Sequence, residues 1–204
     1  MTTFPSVRGA AAIRARPEAF IGAFARRVDE GLIPGAPAER NRYRLMRNGL
    51  QELWLQAVNW RTSIAIGLNT VRLAIEPDGQ VRYTIRYPRW ASYAVTLCGL
   101  IGVSLIAFFL VVDIHGYIER HPRSQLPGLT IEQNVAVGWA MALFWGFAWP
   151  WLLILLHKKP LRKQMDRIIA EVDDVARDAS KAAADRRESD SREVARGARK
   201  QARR

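Results

Sequence analysis

Two long apolar segments dominate the hydropathy pattern of this chain, Ala91 to Val112 and Val135 to Leu156, and neither contains a charged side chain. At about 1.5 Å of rise per residue, a helix of about 22 residues is roughly 33 Å long, enough to cross a hydrocarbon core of about 30 Å. Aromatic residues flank both segments, as expected at the level of lipid headgroups. The pattern therefore predicts a transmembrane helical hairpin.

Small residues recur at every fourth position in both segments, which places one stripe of small side chains on each predicted helix. The stripes consist of Ala94, Cys98 and Gly102 on the first helix and of Gly138, Ala142 and Gly146 on the second. Such stripes let two helix backbones approach closely in lipid. We expect the stripes to face each other, and we expect Pro150 to kink the second helix because it removes a backbone donor.

Basic residues lie on both outer flanks of the hairpin, whereas the connection at 113–133 mixes basic and acidic residues. The positive-inside rule places both termini in the cytoplasm and the connection outside. We interpret the chain as a multi-pass protein of a cell membrane, most simply a bacterial inner membrane. The basic residues predicted to contact anionic lipid headgroups are Arg82, Arg86, Arg89, Lys158 and Lys159.

Residues before the hairpin alternate between apolar and polar positions with the period of two that is typical of strands. Asn48-Gly49 and Pro77-Asp78-Gly79 are the turn signals of two β-hairpins. In the second hairpin, a bulged turn at Gly79 would pair Ile75 with Val81, Leu73 with Tyr83 and Val71 with Ile85. We predict a four-stranded antiparallel sheet with one or two helices on its inner face. The candidate helices are an amphipathic helix that starts at Pro17, after a flexible stretch at 1–16, and a short helix within Trp60 to Leu68.

After the hairpin, apolar residues follow the 4-3-4-3-4 spacing of a coiled-coil seam. The predicted seam consists of Leu161, Met165, Ile168, Val172 and Val175, and the spacing continues to Ala179. Oligomerisation through this seam is one interpretation, and packing on the chain's own sheet or on the membrane surface is the other. From Ser180 onward the sequence has no apolar face, so we expect a disordered or frayed helical tail.

The formal net charge of +12 changes little in this interpretation. Anionic lipid attracts each nearby Lys or Arg by about 1 kcal/mol, so a basic membrane protein is expected at a cytoplasmic surface. The basic tail has no aromatic residue to stack on a base, which argues against sequence-specific nucleic-acid binding. Cys98 is the only cysteine, so no disulfide forms within one chain.

Candidate chemistry is sparse, because the sequence has no phosphate-binding glycine loop, HExxH or GxSxG motif. The outer connection offers candidate metal ligands in His115, His121, Asp113 and Glu119. His157, at the end of the Trp-rich second segment, is a candidate ligand for haem or a chlorophyll-type pigment. Otherwise we expect no cofactor.

The sequence thus predicts an α+β membrane protein with a two-helix transmembrane hairpin, a small cytoplasmic antiparallel sheet and a C-terminal amphipathic helix. The predicted divisions are a flexible N-terminus and helix (1–37), the sheet domain (38–89), the hairpin (90–157), the amphipathic helix (158–179) and the basic tail (180–204). The leading functional hypothesis is a non-enzymatic accessory or scaffold subunit, bound to other integral membrane proteins or to a second copy of itself. The alternatives are a membrane-anchored sensor of a small ligand or lipid and a membrane enzyme that uses the outer His and carboxylate cluster.

Overall fold

A computed structural model describes residues 5–48, 51–121 and 125–201, and it has an α+β fold with an antiparallel five-stranded sheet. The strands are β1 (Ser6–Ala12), β2 (Tyr43–Arg47), β3 (Glu52–Ala57), β4 (Thr70–Ile75) and β5 (Gln80–Arg86), in the spatial order β1-β5-β4-β3-β2. The helices are α1 (Pro17–Glu30), α2 (Trp60–Ile66), α3 (Pro88–Val111), α4 (Ile114–Arg120), α5 (Ile131–Leu143), α6 (Trp149–Leu156) and α7 (Lys158–Gln201). A 3₁₀ turn spans Ala38–Arg40, and a π-helical segment, Phe144–Ala148, joins α5 to α6.

The β4–β5 hairpin has the predicted register. Ile75 pairs with Val81, Leu73 with Tyr83 and Val71 with Ile85. All six side chains are at most 2% exposed, because they form the inner face of the sheet. Gly79 has a φ of 78°, the left-handed conformation that the bulged turn requires. In the β2–β3 hairpin, Gly49 of the predicted turn lies outside the described residues.

Strand β1 corrects the expectation of a flexible N-terminus and a four-stranded sheet. It pairs with β5 from Ser6 opposite Arg86 to Ala12 opposite Gln80. Its sequence lacks the alternation of large apolar residues because the Tyr83 ring covers part of it. A Cβ at Gly9 would lie 2.2 Å from the Tyr83 ring and hydroxyl, so this position accommodates only glycine without rearrangement.

Helices α1 and α7 cover the inner face of the sheet. Phe20 and Phe24 of α1 are fully buried, and α7 packs against α1 and β1. On the outer surface of this contact, Arg27 pairs with Glu171 at 2.9 Å. The hydrophobic core is therefore assembled from both ends of the chain, with the apolar hairpin inserted between β5 and α7.

The predicted coiled-coil seam belongs to this core. Its first four residues are at most 4% exposed and contact the sheet and α1, whereas Val175 is 55% exposed. Ile169 and Ala176, outside the predicted 4-3-4-3-4 pattern, are each 1% exposed and complete a wider apolar stripe. The seam is consequently occupied within the chain and offers no continuous surface for a second copy.

Two polar contacts fix α7, one on the sheet and one on the loop between β1 and α1. The Tyr83 hydroxyl donates to the Asp166 carboxylate, and burial, followed by this carboxylate, raises the pKa of Tyr83. Asp173, 6% exposed, accepts hydrogen bonds from the backbone N–H groups of Arg14 at 3.0 Å and Ala15 at 2.8 Å. These bonds hold the loop between β1 and α1 against the helix.

The C-terminal tail is helical in the structure rather than disordered, because α7 continues without interruption to Gln201. Alanine and arginine, the two most frequent residue types from 180 onward, have high helix propensity. At about 1.5 Å per residue, α7 is roughly 66 Å long. The boundary predicted at residue 179 marks where the helix leaves the core, after Ala176, and not where it ends.

Two helical stretches are long and apolar enough to cross a membrane, α3 and the helical run that begins at Ile131. In their most apolar windows only 17% and 22% of the residues are buried. The second stretch starts with the predicted capping box, in which Thr130 and Gln133 exchange hydrogen bonds. Between the two stretches, α4 gives the connection a short helix that the sequence analysis did not predict.

Candidate functional site

The place where the apolar helices join the sheet domain contains a group of buried and partly buried polar contacts. We call it the junction and define it by Asn69, Tyr87, Trp90 and His157. Asn69, 5% exposed, precedes β4, and its side-chain oxygen accepts hydrogen bonds from the backbone N–H groups of Arg89 at 2.8 Å and Trp90 at 3.4 Å. These donors belong to the first turn of α3 and have no partner within that helix. Asn69 therefore caps α3 from outside the helix.

The amide nitrogen of the Asn69 side chain binds helix α2. This amide donates to the Ser63 carbonyl at 2.9 Å, and the Arg89 guanidinium donates to the Ser63 hydroxyl at 3.3 Å. Helix α2 is itself capped by Asn59, whose side chain accepts from the Thr62 N–H at 2.7 Å. The sheet, α2 and α3 are thus connected by paired polar groups in a largely buried position.

Aromatic rings connect the junction to the second apolar helix. The His157 ring stacks on Trp90, with ring centroids 3.9 Å apart and an interplanar angle of 3°. Tyr87 makes an edge contact with His157 and donates its hydroxyl to the Ile154 carbonyl at 3.0 Å. Burial raises the pKa of Tyr87. The last residue before α3 thereby binds the end of α6 directly.

The geometry around His157 bears on the suggested haem or pigment ligation. Among the described residues, buried Nε2 has no hydrogen-bond partner, and it faces Gly67, where a Cβ would lie only 2.4 Å away. Gly67 has a φ of 77° and ends helix α2. An iron bound to Nε2 at about 2 Å would have to displace this loop. His157 fits the role of a packing residue at the junction.

The small residues of the two stripes meet inside the hairpin. At the closest point, a Cβ on Gly102 would lie 2.5 Å from the Gly146 Cα, and a Cβ on Gly146 would lie 2.6 Å from the Gly102 Cα. Ala94, Cys98 and Ala142 are buried beside this contact. Gly138 instead faces the Phe109 ring, which would be 3.5 Å from an added Cβ.

The second helix changes its winding where it passes Gly146. The N–H of Trp149 donates to the Phe144 carbonyl, the i to i−5 bond of a π-helix. One residue later, Pro150 has no N–H to offer to Gly146. The wider π-helical turn thus lies directly before Pro150 and at the close contact with Gly102, whereas the kink expected at Pro150 stays a prediction.

Large apolar and aromatic side chains cover the outside of the hairpin. On the second helix, four aromatic residues form what we call the aromatic flank. They are Phe144, Trp145, Phe147 and Trp151, with exposures of 41%, 40%, 48% and 54%. Leu100 and Val103 of α3 are similarly exposed, at 62% and 58%.

The residues predicted to contact headgroups occupy different levels of the molecule. Arg89 lies in the first turn of α3, and Lys158 and Lys159 begin α7 next to the end of α6. Arg82 lies on β5, seven residues before Arg89, and its guanidinium forms an ion pair with Glu76 at 3.0 Å. Arg86 is the last residue of β5 and lies opposite Thr70 of β4, at the end of the sheet nearest α3.

The connection between the two apolar helices does not gather its predicted metal ligands. His115 lies 4.0 Å from Glu132, whereas His121 bonds to the Tyr117 carbonyl at 2.8 Å and stacks on its ring. Asp113 caps α4 by accepting from the Gly116 N–H. In the described part of the chain, no three His, Cys, Asp or Glu side chains form a group able to hold a metal ion.

Comparisons with protein-family models, curated proteins and solved structures found no match for this chain. The junction itself was missed by sequence reasoning. Asn69 precedes a strand, and nothing in its local sequence signals that it caps a helix 20 residues later. The nearest available signal was the absence of any linker between β5 and the first apolar segment.

Proposed function

We propose that this chain is an integral membrane protein, and that α3 and the run from Ile131 to Leu156 form a transmembrane hairpin. The hairpin holds a rigid α+β domain at the cytoplasmic surface, and the protein serves as a non-enzymatic accessory or scaffold subunit of a larger membrane assembly. The observation that carries the proposal is the exposure of the apolar helices. Their most apolar windows are 17% and 22% buried, unlike those of a core helix.

The junction supports the scaffold role. A flexible tether would need few contacts between the domain and the hairpin, whereas Asn69, Tyr87 and Trp90 join them through buried hydrogen bonds and stacked rings. A rigidly held domain presents its surfaces at a fixed height and orientation above the membrane. Such a geometry suits the positioning of a partner.

The aromatic flank is the surface we assign to a partner within the membrane. The small-residue stripes are used inside the hairpin, and the heptad seam is used inside the domain. The flank remains exposed, and broad rigid rings give large contact area with little loss of conformational entropy. Another integral membrane protein is therefore the expected partner, with anionic lipids around it.

Gentle purification of the tagged full-length protein from its native membrane tests this proposal, with co-purifying proteins measured by mass spectrometry. We expect a stoichiometric membrane partner, which is lost from the Trp145→Ala/Phe147→Ala double variant. The matched control is Leu100→Ala/Val103→Ala, which removes exposed apolar side chains from α3 and should retain the partner. A protein that purifies without any stoichiometric partner would exclude the subunit role.

A ligand sensor is the weaker alternative. The inner face of the sheet, where a small ligand would bind, is filled by side chains of α1 and α7, and Val71, Leu73 and Val81 are fully buried there. The enzymatic alternative relied on the outer His and carboxylate residues, whose side chains turn to separate partners. Neither alternative has a specific contact in its favour.

A further inference from the structure

The beginning of α2 carries an unusual combination of exposed residues. In the described part of the sheet domain before Pro88, the large hydrophobic residues counted as exposed are Met46, Val58 and Trp60. Two of these, Val58 at 53% and Trp60 at 50%, are separated by a single residue. Singly exposed apolar residues are ordinary, but a tryptophan beside a second apolar residue and several cations resembles the composition of a membrane-interface anchor.

Arginines surround these two side chains. Trp60 lines an open groove of about 490 Å³ together with Arg42 and Arg61. The acidic residue Glu39 also lines this groove. Val58 shares a smaller groove of about 120 Å³ with Arg44 and Arg89. Arg61 pairs with Glu39 at 3.1 Å, but both side chains are more than 70% exposed, so water screens this pair strongly.

The position of this cluster follows from the junction. Arg89, the second residue of α3, lines the same groove as Val58, which brings the cluster level with the start of α3. Ser63 of α2 is bonded both to Asn69 and to Arg89. The Asn59 amide also donates to the Glu39 carbonyl at 3.0 Å, which holds the 3₁₀ turn against α2. The cluster is therefore fixed in height relative to the first apolar helix.

We propose that Val58 and Trp60, with Arg42, Arg44, Arg61 and Arg89, form a second membrane-contact surface that binds the headgroups of anionic phospholipids. The inference rests on the proposed insertion of the hairpin in a bilayer. Arginine binds the phosphate of a headgroup through paired N–H donors, and tryptophan is enriched at headgroup depth. The surface would fix the tilt of the domain by adding a contact beside the two spans.

The test places an environment-sensitive fluorophore on single cysteines in a Cys98→Ala background. Val58→Cys and Trp60→Cys are the probes, and Met46→Cys, the remaining exposed hydrophobic residue, is the matched control. Each full-length variant is reconstituted into vesicles of phosphatidylcholine, with or without phosphatidylglycerol, and quenched by spin-labelled lipids. We expect blue-shifted emission and lipid quenching at positions 58 and 60, stronger with phosphatidylglycerol, and neither effect at position 46.

The charge requirement is tested with Arg42→Glu/Arg61→Glu in the Trp60→Cys background. This double variant should lose the additional quenching produced by phosphatidylglycerol, whereas the charge change Arg47→Glu, at the far end of β2, should retain it. Water-exposed fluorescence at both probe positions would overturn the inference. Equal quenching in neutral and anionic vesicles would overturn the assignment to anionic headgroups.

Extraction with alkaline carbonate separates this inference from the proposed function. Protein that stays in the membrane pellet while positions 58 and 60 remain in water would leave the transmembrane hairpin intact and remove only the second contact. Protein that is released by carbonate would exclude the hairpin as a membrane anchor, and the inference would fall with it.

Discussion

The sheet domain buries its large apolar side chains, whereas the apolar hairpin exposes many of them. In the domain, Val71 and Leu73 are fully buried between the sheet and its covering helices. In the hairpin, Leu100 and Leu110 are 62% and 74% exposed, and the helices meet mainly through small residues such as Gly102. The domain thus completes its own core, whereas the most apolar windows of the hairpin helices are only 17% and 22% buried. Hydrophobic burial stabilises the first region, and close backbone packing organises the second.

The largest expected effect comes from opening the domain core at α7. Met165→Ala removes a fully buried side chain, and such truncations cost about 2–5 kcal/mol of unfolding free energy. Val175→Ala, on the same helix but 55% exposed, should change stability by less than about 0.5 kcal/mol. Denaturant unfolding of the full-length protein in detergent measures both. Equal losses would mean that α7 does not pack on the sheet as described.

The hairpin contact predicts a smaller and more local loss. Gly102→Leu places a side chain where Gly146 already lies, and overpacking of this kind costs about 1–3 kcal/mol. Gly99→Leu is the matched control, because a Cβ at Gly99 has no neighbour within 4 Å. Hydrogen exchange should accelerate in α3 and in the second apolar helix of Gly102→Leu, while the sheet amides keep their protection. Faster exchange in the sheet as well would show that the two regions unfold together.

Sequence patterns predicted the parts of the fold in which local chemistry determines structure. The β4–β5 register follows from alternation and from the positive φ of Gly79, and the capping box at Thr130 follows from its side chain and Gln133. The small-residue stripes were visible because their four-residue period matches a helix surface. Each of these features is determined within a few neighbouring residues.

The features that sequence reasoning missed or left open depend on distant contacts. Strand β1 has little apolar alternation because Gly9 must lie beneath Tyr83 of another strand. The α7 seam fits a coiled coil and the chain's own core equally well by spacing, and only the position of α1 and the sheet decides between them. Asn69 looks like an ordinary residue before a strand, yet it caps a helix that starts nearly 20 residues later. The junction could accordingly not be predicted from local sequence patterns.

The connection between the two regions is tested by Asn69→Ala. Loss of a capping side chain typically costs about 1 kcal/mol, within a range of roughly 0.5–2 kcal/mol. We expect faster hydrogen exchange at the Arg89 and Trp90 amides, which lose their acceptor, and a modest drop in overall stability. Asn48→Ala, which removes an exposed hydrogen bond to Glu52, should leave those amides unchanged. Unchanged exchange in Asn69→Ala would mean that the domain and the hairpin are not coupled through this residue.

The smallest expected effect is a change in how stability declines at alkaline pH, and it comes from two buried phenols, Tyr83 and Tyr87. The pKa values of Tyr83 and Tyr87 are raised in the folded protein, mainly by burial, above the ordinary tyrosine value of about 10. The unfolded chain therefore loses these phenolic protons first, so their contribution to stability is complete below about pH 10 and declines as the pH rises above it. Unfolding measured between pH 8 and pH 12 should show a shallower decline for Tyr83→Phe and Tyr87→Phe than for the wild-type protein. Parallel curves of stability against pH for the variants and the wild-type protein would show that these hydroxyls do not stay protonated in the folded protein above pH 10. The hydrogen bonds from Tyr83 to Asp166 and from Tyr87 to Ile154 would then not hold α7 and α6 against the sheet.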